Sequence, residues 1–155
     1  MTTTSRSLPL YELPQDLRLG TWVQWVRSFY RLQRRVIEAL ARHEITLPQF
    51  DVLATLRFSE GATQQELAER LLVTKGNVCG VLDRLEKVGW VKRHPDPQDG
   101  RVNRVALTPA GRRKVEAVLP DHDEAVLQMM RALPADADVR AFRQMLQALD
   151  RENPD

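Results

Sequence analysis

A chain of 155 residues is one domain's worth, long enough for a proper core and short for two independent ones. Apolar residues at 43% and charged residues at 28% exclude a disordered chain over most of the length, and no apolar run approaches the roughly 18 residues that a membrane span requires. The net charge of +2 is too small to announce an anionic partner by its sum, so its distribution matters more: the basic excess lies in the first 108 residues and the remainder is mildly acidic.

Residues 1–16, with their threonines, serines and prolines, read as an arm. Met1 to Leu10 lack the basic start and apolar stretch of a secretory signal, and the single cysteine, Cys79, can form no internal disulfide, so the expected address is the cytoplasm. From Leu17 to about Ala41, Trp22, Trp25, Val26, Phe29, Leu32, Val36, Ala39 and Leu40 recur at spacings of three and four. They predict one long helix with a broad apolar stripe. "TLPQ" at Thr46 has the pattern of a capping box and opens a second helix through Phe50, Leu53, Ala54 and Leu56. "TQQE" at Thr63 is another, opening a short helix that carries Leu67, Ala68 and Leu71.

Thr74 is placed to cap a fourth helix, in which Val78, Val81, Leu82 and Leu85 form an inward stripe and which Gly89 stops. A helix, a turn of three or four residues and a second helix have the spacing of a helix-turn-helix; a plain pair of packed helices uses the same apolar spacing. The stretch "HPDPQDGRVNRVALT", His94 to Thr108, decides between them. Trp90 to Arg93 is strand-like, "DPQDG" is turn chemistry, and Val102 to Leu107 alternates apolar and polar. A hairpin directly after the second helix is a wing. Pro97 stiffens its tip, Gly100 is expected to take a conformation that other residues resist, and Asp99 is near enough to orient the guanidinium of Arg101. The tip thereby holds an arginine out where a narrow minor groove would attract it. Thr108 then caps the next helix, with Pro109 at its first position. The expected fold is mainly α with a small antiparallel β-hairpin, a winged helix-turn-helix.

"DRLEKVGWVKR", "DPQDGR" and "LTPAG", in that order within Leu67 to Gly111, resemble the DNA-binding lobe of the MarR family of winged helix-turn-helix transcription regulators. The flanking helices match that family in length and position, so the resemblance covers about Leu17 to Arg151. It implies an intertwined homodimer in which residues 17–45 and 109–151 form the helical dimerisation region and 46–108 the winged lobe. It also implies a repressor that binds double-stranded DNA at an inverted repeat. Val115, Val118, Leu119, Val126, Met129 and Met130, then Phe142, Met145, Leu146 and Leu149, offer more apolar face than one small lobe covers, although intramolecular core accounts for some of them.

With the apolar stripe of the recognition helix turned inward, Gly76, Asn77, Gly80, Arg84 and Lys87 face outward. The amide of Asn77 suits an adenine edge, whereas Lys75 and Arg84 suit phosphate. The expected DNA-binding set is Thr74, Lys75, Gly76, Asn77, Gly80, Arg84, Asp99 and Arg101. The two glycines depart from the family's pattern, and each costs the helix roughly 1 kcal/mol relative to alanine. Close approach of backbone to DNA would explain them, and so would a helix that makes few base contacts and relies on shape.

The resemblance further implies a small aromatic or phenolic effector. Trp22, Trp25, Phe29, Tyr30, Asp51 and Arg93 are the candidate lining, although an aromatic stripe at helical spacing is more often core packing. Members that respond to urate use a first-helix tryptophan, a second-helix aspartate and two arginines. Trp22, Asp51 and Arg93 match three of these positions, and Gly80 stands at the fourth. Peroxide-sensing members carry a first-helix cysteine that this chain lacks; Cys79 is expected to be a small, inert filler at the edge of the buried stripe. His43, His94 and His122 are scattered, no glycine-rich phosphate loop follows a strand, and "DHDE" at 121–124 reads as a solvated charged face whose consecutive side chains point apart. No enzyme, cofactor or metal is therefore expected. The alternative is a winged helix that binds protein and not DNA; the wing arginine and the basic outward positions favour DNA.

Overall fold

The computed structural model describes residues 15–133 and 135–153, so the expected arm lies outside the described residues except for Gln15 and Asp16. The elements in chain order are α1 (Leu17–Ala41), α2 (Leu47–Phe58), β1 (Ala62–Thr63), α3 (Gln64–Arg70), α4 (Lys75–Lys87), β2 (Val91–Pro95), β3 (Asn103–Leu107), α5 (Pro109–Met130) and α6 (Asp136–Glu152). Two compact units result, one ending at Arg34 and one beginning at Arg35.

The first unit carries most of α1. Its Trp22 and Trp25 rings meet edge to face with centroids 5.5 Å apart, and Phe29 and Tyr30 do the same at 5.9 Å. All four rings are exposed, so the apolar stripe of α1 becomes core only at its end, at Val36, Ala39 and Leu40 of the second unit.

In the second unit, side-chain oxygens start the helices as the sequence predicts. The Thr46 backbone N–H donates to Gln49 Oε1 at 3.0 Å. Thr63 Oγ accepts from the Glu66 N–H at 3.2 Å while Glu66 returns a carboxylate oxygen to the Thr63 N–H at 2.7 Å. Such reciprocal caps satisfy amides that have no partner within the helix. Thr108 Oγ accepts from the Gly111 N–H at 3.0 Å, with Pro109 at the first position of α5.

The hairpin β2–β3 is antiparallel, with Val91 opposite Leu107 and Pro95 opposite Asn103. Its other edge is covered by the two-residue strand β1, which pairs Ala62 with Val105, giving the order β1-β3-β2. β1 is not foreseen from the sequence, because two residues are too few to show a period. Leu40, Leu53, Leu56, Leu67, Leu82, Leu85, Val91, Val105, Val115 and Val118 make one contiguous core shared by the end of α1, by α2, α3 and α4, by the sheet and by α5.

Two glycines set the junction between α4 and α5. Gly89 ends α4 at φ +76°, in the left-handed region that other residues resist. A Cβ on Gly111 would stand 1.9 Å from the Trp90 carbonyl oxygen, so "LTPAG" ends in glycine because α5 starts in direct contact with the chain that leaves α4. Gly100 behaves differently from expectation. Its φ is not positive and a Cβ there would meet nothing within 4 Å; the wing tip turns through backbone N–H groups that donate to the Asp96 and Asp99 carboxylates and does not depend on a glycine-only backbone.

α6 has no buried residue, and Phe142, Met145 and Leu149 are exposed along it. Leu127 on α5 is exposed as well. No helix is long and apolar enough to cross a membrane among the described residues.

Candidate DNA-binding interface

The turn from α3 to α4 occupies Leu71–Thr74, and Leu72 within it holds φ +52°, a left-handed conformation unusual for a non-glycine residue. Thr74 then accepts the Asn77 N–H at 3.3 Å and α4 begins. Val78, Val81, Leu82 and Leu85 are buried, while Lys75, Gly76, Asn77, Arg84 and Lys87 are exposed and Gly80 is half-buried, which is the predicted split of the helix. Neither helix glycine is needed by the rest of the chain. A Cβ at Gly76 would come no nearer than 4.0 Å to Thr74 Oγ, and one at Gly80 would lie 3.8 Å from Nη1 of Arg84, whose side chain reaches back along the helix.

Cys79 requires a correction: it is exposed, not packed as a filler at the edge of the stripe. The buried stripe is narrow, centred on Val78, Leu82 and Leu85, and Cys79 falls one helical step outside it. A groove beside these residues is lined by Gln65 and Glu69 of α3 together with Thr74, Lys75 and Asn77. Gln65 Nε2 donates to Glu69 Oε1 at 2.8 Å. Neither was singled out in the sequence; the signal was their spacing of four, which puts both on one face of α3.

The wing tip is organised around Asp96, the one buried polar or charged side chain among the described residues. Its Oδ1 accepts the Gln98 and Asp99 N–H groups at 2.7 and 3.1 Å, an Asx turn, while its Oδ2 meets Nε of Arg104. These backbone donors, with Arg104 beside them, hold its carboxyl below the usual carboxylate range. Arg104 also donates to the Gly61 carbonyl at 3.0 Å, tying the hairpin to the turn before β1. Asp99 does stand beside Arg101 as expected: it accepts the Arg101 backbone N–H at 3.0 Å and lies 3.5 Å from the guanidinium Nε. The Arg101 side chain itself is 95% exposed.

Arg93, read from the sequence as a ligand-pocket candidate, is committed within the chain. Nη2 reaches Asp83 at 2.6 Å and Nη1 reaches Glu86 at 2.8 Å, joining β2 to α4. Burial works against the guanidinium charge, yet these two carboxylates outweigh it and hold the proton more firmly than usual. Asp51 has a separate setting on α2, where burial pushes its carboxyl up and His122 pulls against that shift. The His122 ring packs on Phe50 with centroids 4.5 Å apart, and its Nδ1 lies 2.9 Å from Asp123 Oδ1. These neighbours in "DHDE" thus do meet, although consecutive helical residues start out in different directions; no group of three metal-ligating side chains forms among the described residues. Trp22, Trp25, Phe29 and Tyr30 lie in the first unit, and Asp51 and Arg93 in the second.

A profile of the MarR family matches residues 45–102, a stretch that contains Thr74 to Arg101. An uncharacterized HTH-type transcriptional regulator of Bacillus anthracis is 36% identical over 109 residues, covering 69% of this chain and 72% of that protein. The chain belongs to the MarR family of helix-turn-helix transcription regulators. The HTH-type transcriptional regulator TtmR of Methylorubrum extorquens (strain PA1) is 41% identical over 73 residues, 47% of this chain and 37% of that one. Among solved structures, a mutant of MarR from E. coli complexed with operator DNA matches with a TM-score of 0.76 at 28% identity, over 86% of this chain and 94% of that one.

Proposed function

We propose that this MarR-family regulator binds double-stranded DNA sequence-specifically as a homodimer, with α4 in the major groove and the wing arginine in the adjacent minor groove. The observation that carries the reading is Arg101: a 95% exposed guanidinium on a tip held by Asp96 and Asp99. Its structural relative from E. coli, bound to operator DNA, supports the same use of the lobe. The DNA-binding set is Thr74, Lys75, Gly76, Asn77, Gly80, Arg84, Asp99 and Arg101, with Asn77 reading a base and Lys75 and Arg84 meeting phosphate.

Homodimerisation is supported by α6, whose exposed Phe142, Met145 and Leu149 give residues 109–151 an apolar face that residues 46–108 do not cover. A two-fold pair places recognition helices about 34–36 Å apart, so the preferred site is an inverted repeat. Repression, and release by a small aromatic or phenolic molecule, rest on the family resemblance and on the exposed rings of α1. Selection of bound sequences from random duplex DNA tests the reading. Inverted repeats with half-sites one helical turn apart are expected, and Asn77→Ala relaxes one position in each half-site by about 1–3 kcal/mol. No enrichment would move the lobe to the protein-binding alternative.

A further inference from the structure

We propose that Arg93 is a positioning residue for DNA binding: it locks the wing to the recognition helix so that Arg101 and α4 meet one duplex in a fixed relation. This rests on the DNA-binding reading above.

The arrangement follows from the local sequence. "DRLEK" puts Asp83 and Glu86 three residues apart on α4, so they share a side of the helix. Gly89 then reverses the chain, and β2 returns beside the helix it has just left, with Arg93 opposite that pair. One residue makes four bonds across the gap. Nη2 donates to Asp83 Oδ1 at 2.6 Å and to the Cys79 carbonyl at 3.4 Å, Nη1 to Glu86 Oε2 at 2.8 Å, and the backbone N–H to Glu86 Oε1 at 3.0 Å. Glu86 therefore holds both the strand and its side chain, and Asp83 fixes the plane of the guanidinium. Only 18% of the Arg93 side chain is exposed.

Stability alone is a poor reason for this cluster. Arg93 Nε is buried with no acceptor among the described residues, and an apolar side chain of similar volume would avoid that cost. What the guanidinium supplies is direction, because a rigid planar fork held at both ends defines an angle that apolar contact leaves loose. A hairpin of loose angle would have to be ordered each time DNA bound, at a cost in affinity. Arg101 stands on the same hairpin, between β2 and β3, so the angle set at Arg93 is the angle at which Arg101 is presented. The contacts of the wing and of α4 then depend on each other through Arg93.

A double-mutant cycle tests this on the full-length protein and a selected inverted-repeat duplex, with Kd as the readout. Arg93→Met is expected to keep the oligomeric state and melting transition and to weaken binding about tenfold, whereas the same change in an Arg101→Ala background costs less than about threefold. With no wing arginine to present, its angle no longer matters. Adding Asp83→Asn and Glu86→Gln to Arg93→Met removes the unpaired carboxylates and is expected to leave binding weak; recovery to parent affinity would make the effect one of charge and overturn the proposal. Arg93→Lys, which keeps the charge and loses the fork, is expected to fall between parent and Arg93→Met. If Arg93→Met does not fold, the Asp83→Asn, Glu86→Gln pair with Arg93 retained runs the same cycle. Equal losses with and without Arg101 overturn the proposal alone. A parent protein that binds no duplex overturns the DNA-binding reading and the proposal with it.

Discussion

The winged lobe and α6 are built to opposite rules. In the lobe, apolar side chains from α2, α3, α4 and the sheet close over one another and against α5, and the ends of helices and the hairpin tip are finished by Thr63, Thr74, Asp96 and Thr108. What the lobe offers outward is a few charged and amide groups on firm supports. α6 has an apolar face on which no residue is fully buried: Val139 and Leu146 are half-buried, and Phe142, Met145 and Leu149 are exposed. An element finished within its own chain presents chemistry, whereas one left apolar and uncovered needs a second surface to complete it.

The largest effect is expected where that second surface would sit. Met145→Asp combined with Leu149→Asp places two carboxylates on the open face of α6, and desolvating them against a partner costs several kcal/mol. Sedimentation at micromolar concentration should show a dimer for the parent and a monomer or aggregate for the variant; an unchanged dimer would break the contrast between the two regions. The lobe, by contrast, is sensitive where it packs tightly against the start of α5. Gly111→Ala drives a methyl into the Trp90 carbonyl and should lower stability by about 1–3 kcal/mol, read as a fall in melting temperature. Gly100→Ala, with open space and an ordinary backbone, should stay within about 0.5 kcal/mol. The smallest change goes the other way. Gly80→Ala should gain up to about 1 kcal/mol of stability, since its methyl meets only the movable Arg84. If DNA approaches the helix there, the same variant binds more weakly; a gain in stability with affinity unchanged would assign α4 few close contacts at that point.

The lobe was legible because its signals are local. Thr63, Thr74, Thr108 and Gly89 act on amides and dihedral angles within a few residues of themselves, and the inward stripe of α4 repeats at the helical period. What escaped depends on partners distant in sequence. β1 exists because Val105 lies opposite Ala62, and Gly111 is required because Trp90 arrives beside it. Arg93 matched a ligand position by its place in the chain, and only the fold shows Asp83 and Glu86 occupying its guanidinium. Gly100 was misread for a local reason: a glycine in a turn suggests left-handed backbone, but the Asp96 carboxylate already organises the turn through the Gln98 and Asp99 amides.

Contact of the supported wing arginine with DNA is read from the salt dependence of binding to one selected duplex. The parent is compared with Arg101→Ala and Asp99→Ala. Arg101→Ala should fold normally, lose most specific affinity and flatten the slope of log affinity against log salt by about 0.9 for each phosphate left unneutralised at each wing. Asp99→Ala should weaken binding by a smaller amount although it removes a negative charge, because Asp99 holds the Arg101 backbone N–H at 3.0 Å and lies 3.5 Å from its guanidinium. Tighter binding by Asp99→Ala would mean that Asp99 does not orient Arg101, and parent-like affinity and slope for Arg101→Ala would leave the wing an ordinary surface hairpin.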